Sequence, residues 1–290
     1  MKMYQKALRM GALITLITLS SPLGASFGAL AMDTPGFQQS SSLAAPFLAL
    51  EDRDRYTEAR ENMDADVYML YRVADRLVRA NDIDVPIWNI GIVSDYKVYA
   101  YTGEIYTIFF GNAFLDLLDG DVSAIAFTMA HEMAHHETNY FARIDEFERQ
   151  LRQELFESLG GGAITRETIE RNPEYISRFE QFYTAIQMEA DQKALEYMAR
   201  ANIDPVGALV TLQAIEKSYG TCAQYTERIA AIRTALAENS FATLNLLGQS
   251  RLAVTSPLAF EFLEIENGYL LQVRQHYVDY GANVDALFGP

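Results

Sequence analysis

The stretch DVSAIAFTMAHEMAHH, residues 121–136, constrains this chain more than any other. It contains no Gly or Pro, and Ala124, Ile125, Ala126, Phe127, Met129, Ala130, Met133 and Ala134 make it small or apolar nearly throughout. Asp121 or Ser123 can cap its start, so a helix is expected. A helix apolar on most sides belongs inside a molecule. Yet this one carries His131, Glu132 and His135 in the spacing H-E-x-x-H. Residues four apart share a face, so His131 and His135 can offer two imidazoles to one metal ion, with zinc the natural fit. Glu132 stands about 100° round the helix, suited to take a proton from a water molecule rather than to ligate. Burying these polar groups without a metal or partners would be costly. His136 points elsewhere and has no expected role.

A catalytic zinc takes a third protein ligand. The one remaining histidine, His276, lies in the amphipathic segment QVRQHYVDYG, where a surface place fits better. Acids on a second helix are the other source, and IQMEADQKALEYMARANIDPVGAL, residues 186–209, is the segment to search.

The rest of the chain sets the context. Residues 1–31 read as a secretory signal: Lys2, Lys6 and Arg9, then the apolar GALITLITLSS, then small residues at Ala29 and Ala31, with cleavage expected after Ala31. Residues 32–50 read as a flexible leader. The expected destination is periplasmic or secreted. No later run is apolar enough to span a bilayer, so no stable membrane insertion is expected after cleavage. The full chain holds 39 acidic against 23 basic residues. Losing the signal removes three basic residues and no acid, and so acidic a surface repels nucleic-acid phosphates and anionic headgroups. No nucleic-acid partner is expected. With Cys222 as the sole cysteine there is no internal disulfide, and core packing or a metal must hold the fold.

Helical spacing of Met63, Val67, Leu70, Val73, Ala74 and Leu77 predicts a helix over about 51–80. VPIWNIGIVS and KVYAYTGEIYTIFFG then read as two or three strands, expected to pair antiparallel. Helices follow to about 240, with segments over about 174–201, from near Pro205, and over about 225–238. Residues 241–290 show no clear period and stand as a C-terminal extension. The expected fold class is α+β, mainly α-helical, a zincin-like metal helix preceded by a small antiparallel sheet.

From about residue 60 to 235 the sequence resembles the gluzincin metallopeptidases of the HtpX and CAAX-prenyl-protease type, in particular their soluble periplasmic members. Four segments carry the likeness. GEIYTIFFGNAFLDLL looks like the family's edge strand and following turn, and DVSAIAFTMAHEMAHH is close to its metal helix. MEADQKALEYMARANIDPVGAL looks like its third-ligand helix and following loop, and YTERIAAIRTAL like its last core helix. The resemblance implies a metallopeptidase domain over 51–240, Zn2+ as cofactor, and unfolded or misassembled cell-envelope proteins as substrates. It implies His131 and His135 as ligands, Glu132 as general base, and Asp191 orienting a ligand histidine.

Two positions depart from the family pattern. Its third-ligand motif reads E-x-x-x-D, and alignment on Ala190 and Asp191 puts Gln187 at the ligand position. Residues 187 and 191 share a helix face, whereas Glu189 points about 200° from Gln187. Gln187 coordinates, or Glu189 reaches in through a local distortion, or water fills the place. In GTCAQYTERI, Cys222 stands where the family carries a histidine over the metal. Its thiolate could bind zinc and close the site, or it could be an inert cysteine. These departures leave a second reading open, a weakened or inactive relative that binds client proteins as a chaperone or assembly factor.

Overall fold

The structure is a computed structural model that describes residues 50–94, 99–103, 106–220, 222–238, 241–265 and 268–274. The signal segment 1–31, nearly all of the leader read over 32–50, and His276 lie outside the described residues. The described part opens with helices α1 (Leu50–Asn62) and α2 (Ala65–Asn81), then strands β1 (Ile87–Val93), β2 (Ala100–Thr102) and β3 (Thr107–Gly111). Helices α3 (Asn112–Leu118), α4 (Val122–Glu137), α5 (Tyr140–Ser158), α6 (Arg166–Glu170), α7 (Pro173–Arg200), α8 (Gly207–Tyr219), α9 (Ala223–Glu238) and α10 (Ala242–Val254) follow. A hairpin of β4 (Ala259–Ile265) and β5 (Gly268–Arg274) closes the described chain. The class is α+β and mainly helical, as the sequence pattern implies.

The sheet differs in detail from the antiparallel one expected. Its order is β2-β3-β1-β5-β4, and β1 pairs with β3 in parallel while the other pairings are antiparallel. The cause is topological. The chain turns back through β2 before β3, so β3 runs in the direction of β1 and pairs with it directly. The far side of β1 is filled by β5, which comes from the segment after residue 241. A strand that recruits a partner 180 residues away leaves no local sign of it.

Buried polar groups tie that late segment to α2. The Tyr71 hydroxyl donates to the Leu258 carbonyl at 2.7 Å, and Asp75 Oδ1 accepts the Leu258 N–H at 2.8 Å. Arg79 donates to the Leu252 carbonyl at 2.9 Å, and Arg76 donates twice to the Ala201 carbonyl at 3.0 and 2.7 Å. A buried carboxylate and guanidinium are tolerable only with such partners, and here they join three stretches of chain.

Helix α4 runs through the main core and is buried almost continuously from Ala124 to His135. Asp121 caps it, Oδ1 accepting the N–H groups of Ser123 and Ala124 at 2.9 and 3.0 Å. At Gly207, the start of α8, a Cβ would come within 2.3 Å of the Ser123 carbonyl, so only glycine lets α8 abut the first turn of α4. Gly248 does the same for α10 against the C-terminal end of α7, where a Cβ would meet the Arg200 carbonyl oxygen at 1.8 Å. Between them α7 and α8 hold the apolar sides of α4 and leave its histidine face toward α7.

Candidate metal centre

The histidine pair of α4 meets a polar pair of α7. His131 and His135 stand with ring centroids 4.5 Å apart. Gln187 and Asp191, likewise four apart, face them from α7. Gln187 Oε1 lies 3.0 Å from His131 Nε2, and Gln187 Nε2 lies 3.3 Å from His135 Nε2. Asp191 Oδ1 lies 2.8 Å from His131 Nδ1. All four residues, with Glu132, are buried.

Asp191 therefore stands at ion-pair distance beside His131, while the Gln187 amide spans both rings, its oxygen on His131 and its nitrogen on His135. The Nδ1 atoms of both histidines are buried without a hydrogen-bond partner among the described residues. Two imidazoles and an amide oxygen are thereby gathered, donor groups of the kind a zinc ion takes. Two ligands of one tetrahedral zinc, each about 2.0–2.1 Å from it, stand about 3.3 Å apart. Burial, with the positive fields of His131 and Arg228 added, holds His135 well below the usual histidine range. Its imidazole is therefore neutral, the form that ligates a metal. The residues present fit a zinc held by two imidazoles and one neutral side-chain oxygen. Among the described residues no three His, Cys, Asp or Glu side chains converge as a metal-binding group. A glutamine oxygen thus stands where an acid was sought.

Glu132 lies beside this pair. Burial pushes its carboxyl up, against the opposing pull of His131, Arg228 and the Thr102 backbone N–H that donates to it. Thr102 belongs to β2, an outer strand of the sheet, so the edge of the sheet passes Glu132.

Arg228 of α9 is a site residue that sequence reading missed. Its Nε donates to Asp191 Oδ2 and its Nη2 to Asp191 Oδ1, both at 2.7 Å. Burial alone would raise the Asp191 carboxyl, but the Arg228 guanidinium and His131 hold it well below the usual carboxylate range. A chain of contacts therefore runs from Arg228 through Asp191 to His131. The signal was present in YTERIAAIRTAL, where Arg228 falls among apolar residues of a core helix.

Tyr140 and Tyr183 were missed as well. Asn139, between α4 and α5, takes a left-handed conformation with φ 53°, and the chain reverses so that the Tyr140 ring lies on His135 with centroids 4.1 Å apart. Burial raises the pKa of the Tyr140 and Tyr183 hydroxyls, and the charge of Glu132 adds to that rise.

The remaining candidates lie elsewhere. Glu189 is exposed on the outer face of α7, its Oε2 2.8 Å from Arg143, as its 200° offset from Gln187 dictates. Cys222 is a free, partly exposed cysteine just before α9 and joins no metal-binding cluster among the described residues. His136 points away from the pair but is not idle. Its Nε2 lies 2.5 Å from Thr102 Oγ1, and its ring packs on Trp88 and Tyr106 at 5.3 and 5.4 Å. It thereby ties β2, and so the Thr102 N–H, to the metal helix. A cleft of about 760 Å³ opens on that side of α4, lined by Trp88, Tyr106, Met133, His136 and Glu137 among others, and it does not contain His131, Glu132 or His135.

A mainly helical α+β fold that presents H-E-x-x-H to a polar second helix defines a metallopeptidase architecture. The chain belongs to peptidase family M48, whose model matches residues 67–236, from within α2 to within α9. The family is one of metallopeptidases, which assigns the chain a protease role at that level. No curated protein matches the chain. Among the described residues no helix is long and apolar enough to cross a membrane.

Proposed function

We propose that this chain is a zinc-dependent endopeptidase of the soluble periplasmic branch, which hydrolyses peptide bonds in unfolded or misassembled cell-envelope proteins. The observation that carries this reading is Glu132, a buried carboxyl beside two imidazoles that both meet the side-chain amide of Gln187. His131, His135 and Gln187 would hold the ion. When bound, zinc supplies Lewis acidity, easing deprotonation of water and polarising a carbonyl. Glu132 takes the proton of the attacking water and passes it to the leaving amine, and its raised pKa suits both steps. Asp191, at ion-pair distance from His131 Nδ1, orients that ring, and Arg228 keeps Asp191 ionised and aimed. A substrate strand pairing along the outer edge of β2 would run past Glu132, a mode open to any unfolded chain. The apolar segment at the N-terminus supports export, and the acidic composition supports a protein rather than a nucleic-acid partner.

A second reading has one observation in its favour. Gln187 is a neutral amide and a weaker ligand than a carboxylate, which fits a relative that binds clients without turnover. Cleavage of casein or an unfolded porin by the wild type and by Glu132→Gln separates the two. The variant is expected to lose about 10²–10⁴-fold in rate while retaining its zinc. Equal cleavage by both proteins would overturn the peptidase mechanism, and less than about 0.2 zinc per chain would overturn the metal site itself.

A further inference from the structure

The strand with which a substrate would pair is the shortest in the sheet. β2 has three residues, and its partner among the described strands is β3, in the register Ala100↔Phe110, Tyr101↔Phe109 and Thr102↔Ile108. Its other edge ends the sheet. Three ladder positions hold a strand loosely, and a peptide that pairs with it must also meet the entropy of ordering it. β2 has a second anchor. Alternate residues of a strand face opposite ways, so Tyr101 stacks on Phe109 at 5.1 Å while Thr102 turns to α4 and is buried. There Thr102 Oγ1 lies 2.5 Å from His136 Nε2, and one proton joins the two in either tautomer of the ring. The imidazole packs against both Trp88 of β1 and Tyr106, whose own rings meet at 5.6 Å. Tyr106 takes a left-handed conformation, φ 52°, and its carbonyl accepts the Asn89 N–H at 2.9 Å, which fixes it against β1. His136 follows Glu132 by four residues and so stands one turn on along the same side of α4. The strut that carries β2 is thus set on the face that carries Glu132.

We infer that His136 is a positioning residue for the substrate: through Thr102 it holds the open edge of β2 along the Glu132 face of α4, ready to pair with the main chain of an extended peptide. The inference rests on the peptidase reading above. Packing alone does not call for an imidazole at this half-buried place, since an apolar side chain would fill it without the cost of burying ring nitrogens. The bond to β2 does call for one. A buried threonine hydroxyl takes a partner, and His136 supplies it from another element; the Thr107 carbonyl, 3.4 Å from both atoms, is the weaker alternative. The peptide groups on the outer edge of β2 then keep their spacing and direction before substrate arrives, which lowers the entropy that binding must offset. Recognition of this kind reads main-chain groups, so it takes an extended segment and not a folded one. The contribution of His136 is to substrate binding, not to the chemical step.

The test uses the zinc-loaded full chain, a long unstructured peptide, and a minimal peptide cut at the same bond but too short to lie along β2. His136→Phe keeps a ring and loses the nitrogen, and Thr102→Val keeps the shape and loses the hydroxyl. Each is expected to raise KM for the long peptide about tenfold with kcat little changed, and to leave KM for the minimal peptide within about twofold of the wild type. Both remove the same bond, so the double variant should be no worse than either single one. His136→Gln, whose side-chain amide can take the place of Nε2, should bring KM back to within about threefold of the wild type. Calorimetry on the Glu132→Gln background reads long-peptide affinity without turnover and should show the same loss of about tenfold. Long-peptide KM and affinity within about threefold of the parent in both single variants would overturn the inference. So would equal losses for the two peptides, or effects of the two substitutions that multiply in the double variant. A loss that follows zinc content or melting temperature, or that His136→Gln does not restore, would overturn it as well. Failure of the underlying reading has a separate signature: wild type and Glu132→Gln would cleave equally, while peptide affinity would still report on His136.

Discussion

The two halves of α7 occupy different worlds. From residue 173 to 185 the helix buries only Tyr175, which joins Leu151, Leu155 and Ile169 in a small cluster of its own with α5 and α6. This arm is dressed with exposed ion pairs, Arg178 with Glu154 among them, and a stack of Phe147 on Phe182 at 4.0 Å. From residue 186 to 200 the same helix buries Ile186, Gln187, Ala190, Asp191, Ala194, Leu195, Tyr197, Met198 and Ala199. The second half, with Tyr183 just before it, is a wall of the candidate site, and the stretch from 173 to 182 is a surface with little holding it. Local stability follows apolar burial, so a single helix can be rigid where it positions a ligand and compliant some 15 Å away.

The sharpest way to break this contrast is Asp191→Ala. It would leave the Arg228 guanidinium buried without its partner, and equilibrium denaturation should show a loss of about 3–5 kcal/mol. Zinc affinity, read by chelator competition, should fall about 10–100-fold as His131 loses its orienting carboxylate. Leu151→Ala in the arm should cost about 2–3 kcal/mol, the low end for such a truncation, because its small cluster can collapse. Hydrogen exchange should then quicken over residues 147–179, the span of that cluster, while 186–200 stays protected. Equal loss of protection in both stretches would show that α7 unfolds as one unit and would sink the comparison.

Gln187→Glu sharpens the picture from the site end. A carboxylate in that place should tighten zinc roughly tenfold or more, and leave exchange in the arm unchanged. Acid should act on the core half as well. The Asp191 carboxyl is depressed in the folded state, so its stabilisation is whole above the unfolded value of about 3.9 and is lost as pH falls below it toward the folded value. Denaturation curves should show that added loss below about pH 4 in the wild type and lack it in Asp191→Asn. The smallest effect is expected from Arg178→Ala, where removing a solvated ion pair should leave the melting temperature unchanged within error.

Legibility followed the reach of each interaction. The α4 cap, the burial of the metal helix and the shared face of residues 187 and 191 depend on neighbours a turn or less away, and local pattern reveals them. The parallel pairing of β1 with β3, the closure of the sheet by β5, and the anchoring of residues 252–258 by Tyr71, Asp75 and Arg79 depend on partners far along the chain. No periodicity encodes those. The same division runs through the site. His131, Glu132, His135, Gln187 and Asp191 sit in readable motifs, whereas Arg228, Tyr140 and Tyr183 are ordinary residues until folding gathers them round Glu132.

The sequence by itself determined that α4 must be buried and that its imidazoles must share a face, because helix periodicity and the cost of burying charge admit little else. It also determined that position 187 carries a neutral oxygen. Only the tertiary structure decided what those groups meet. Gln187 came to the histidines and Glu189 went to solvent, Arg228 came to Asp191, and His136 turned to Thr102. Each of these depends on which helix face packs against which, and that choice is made by the whole core.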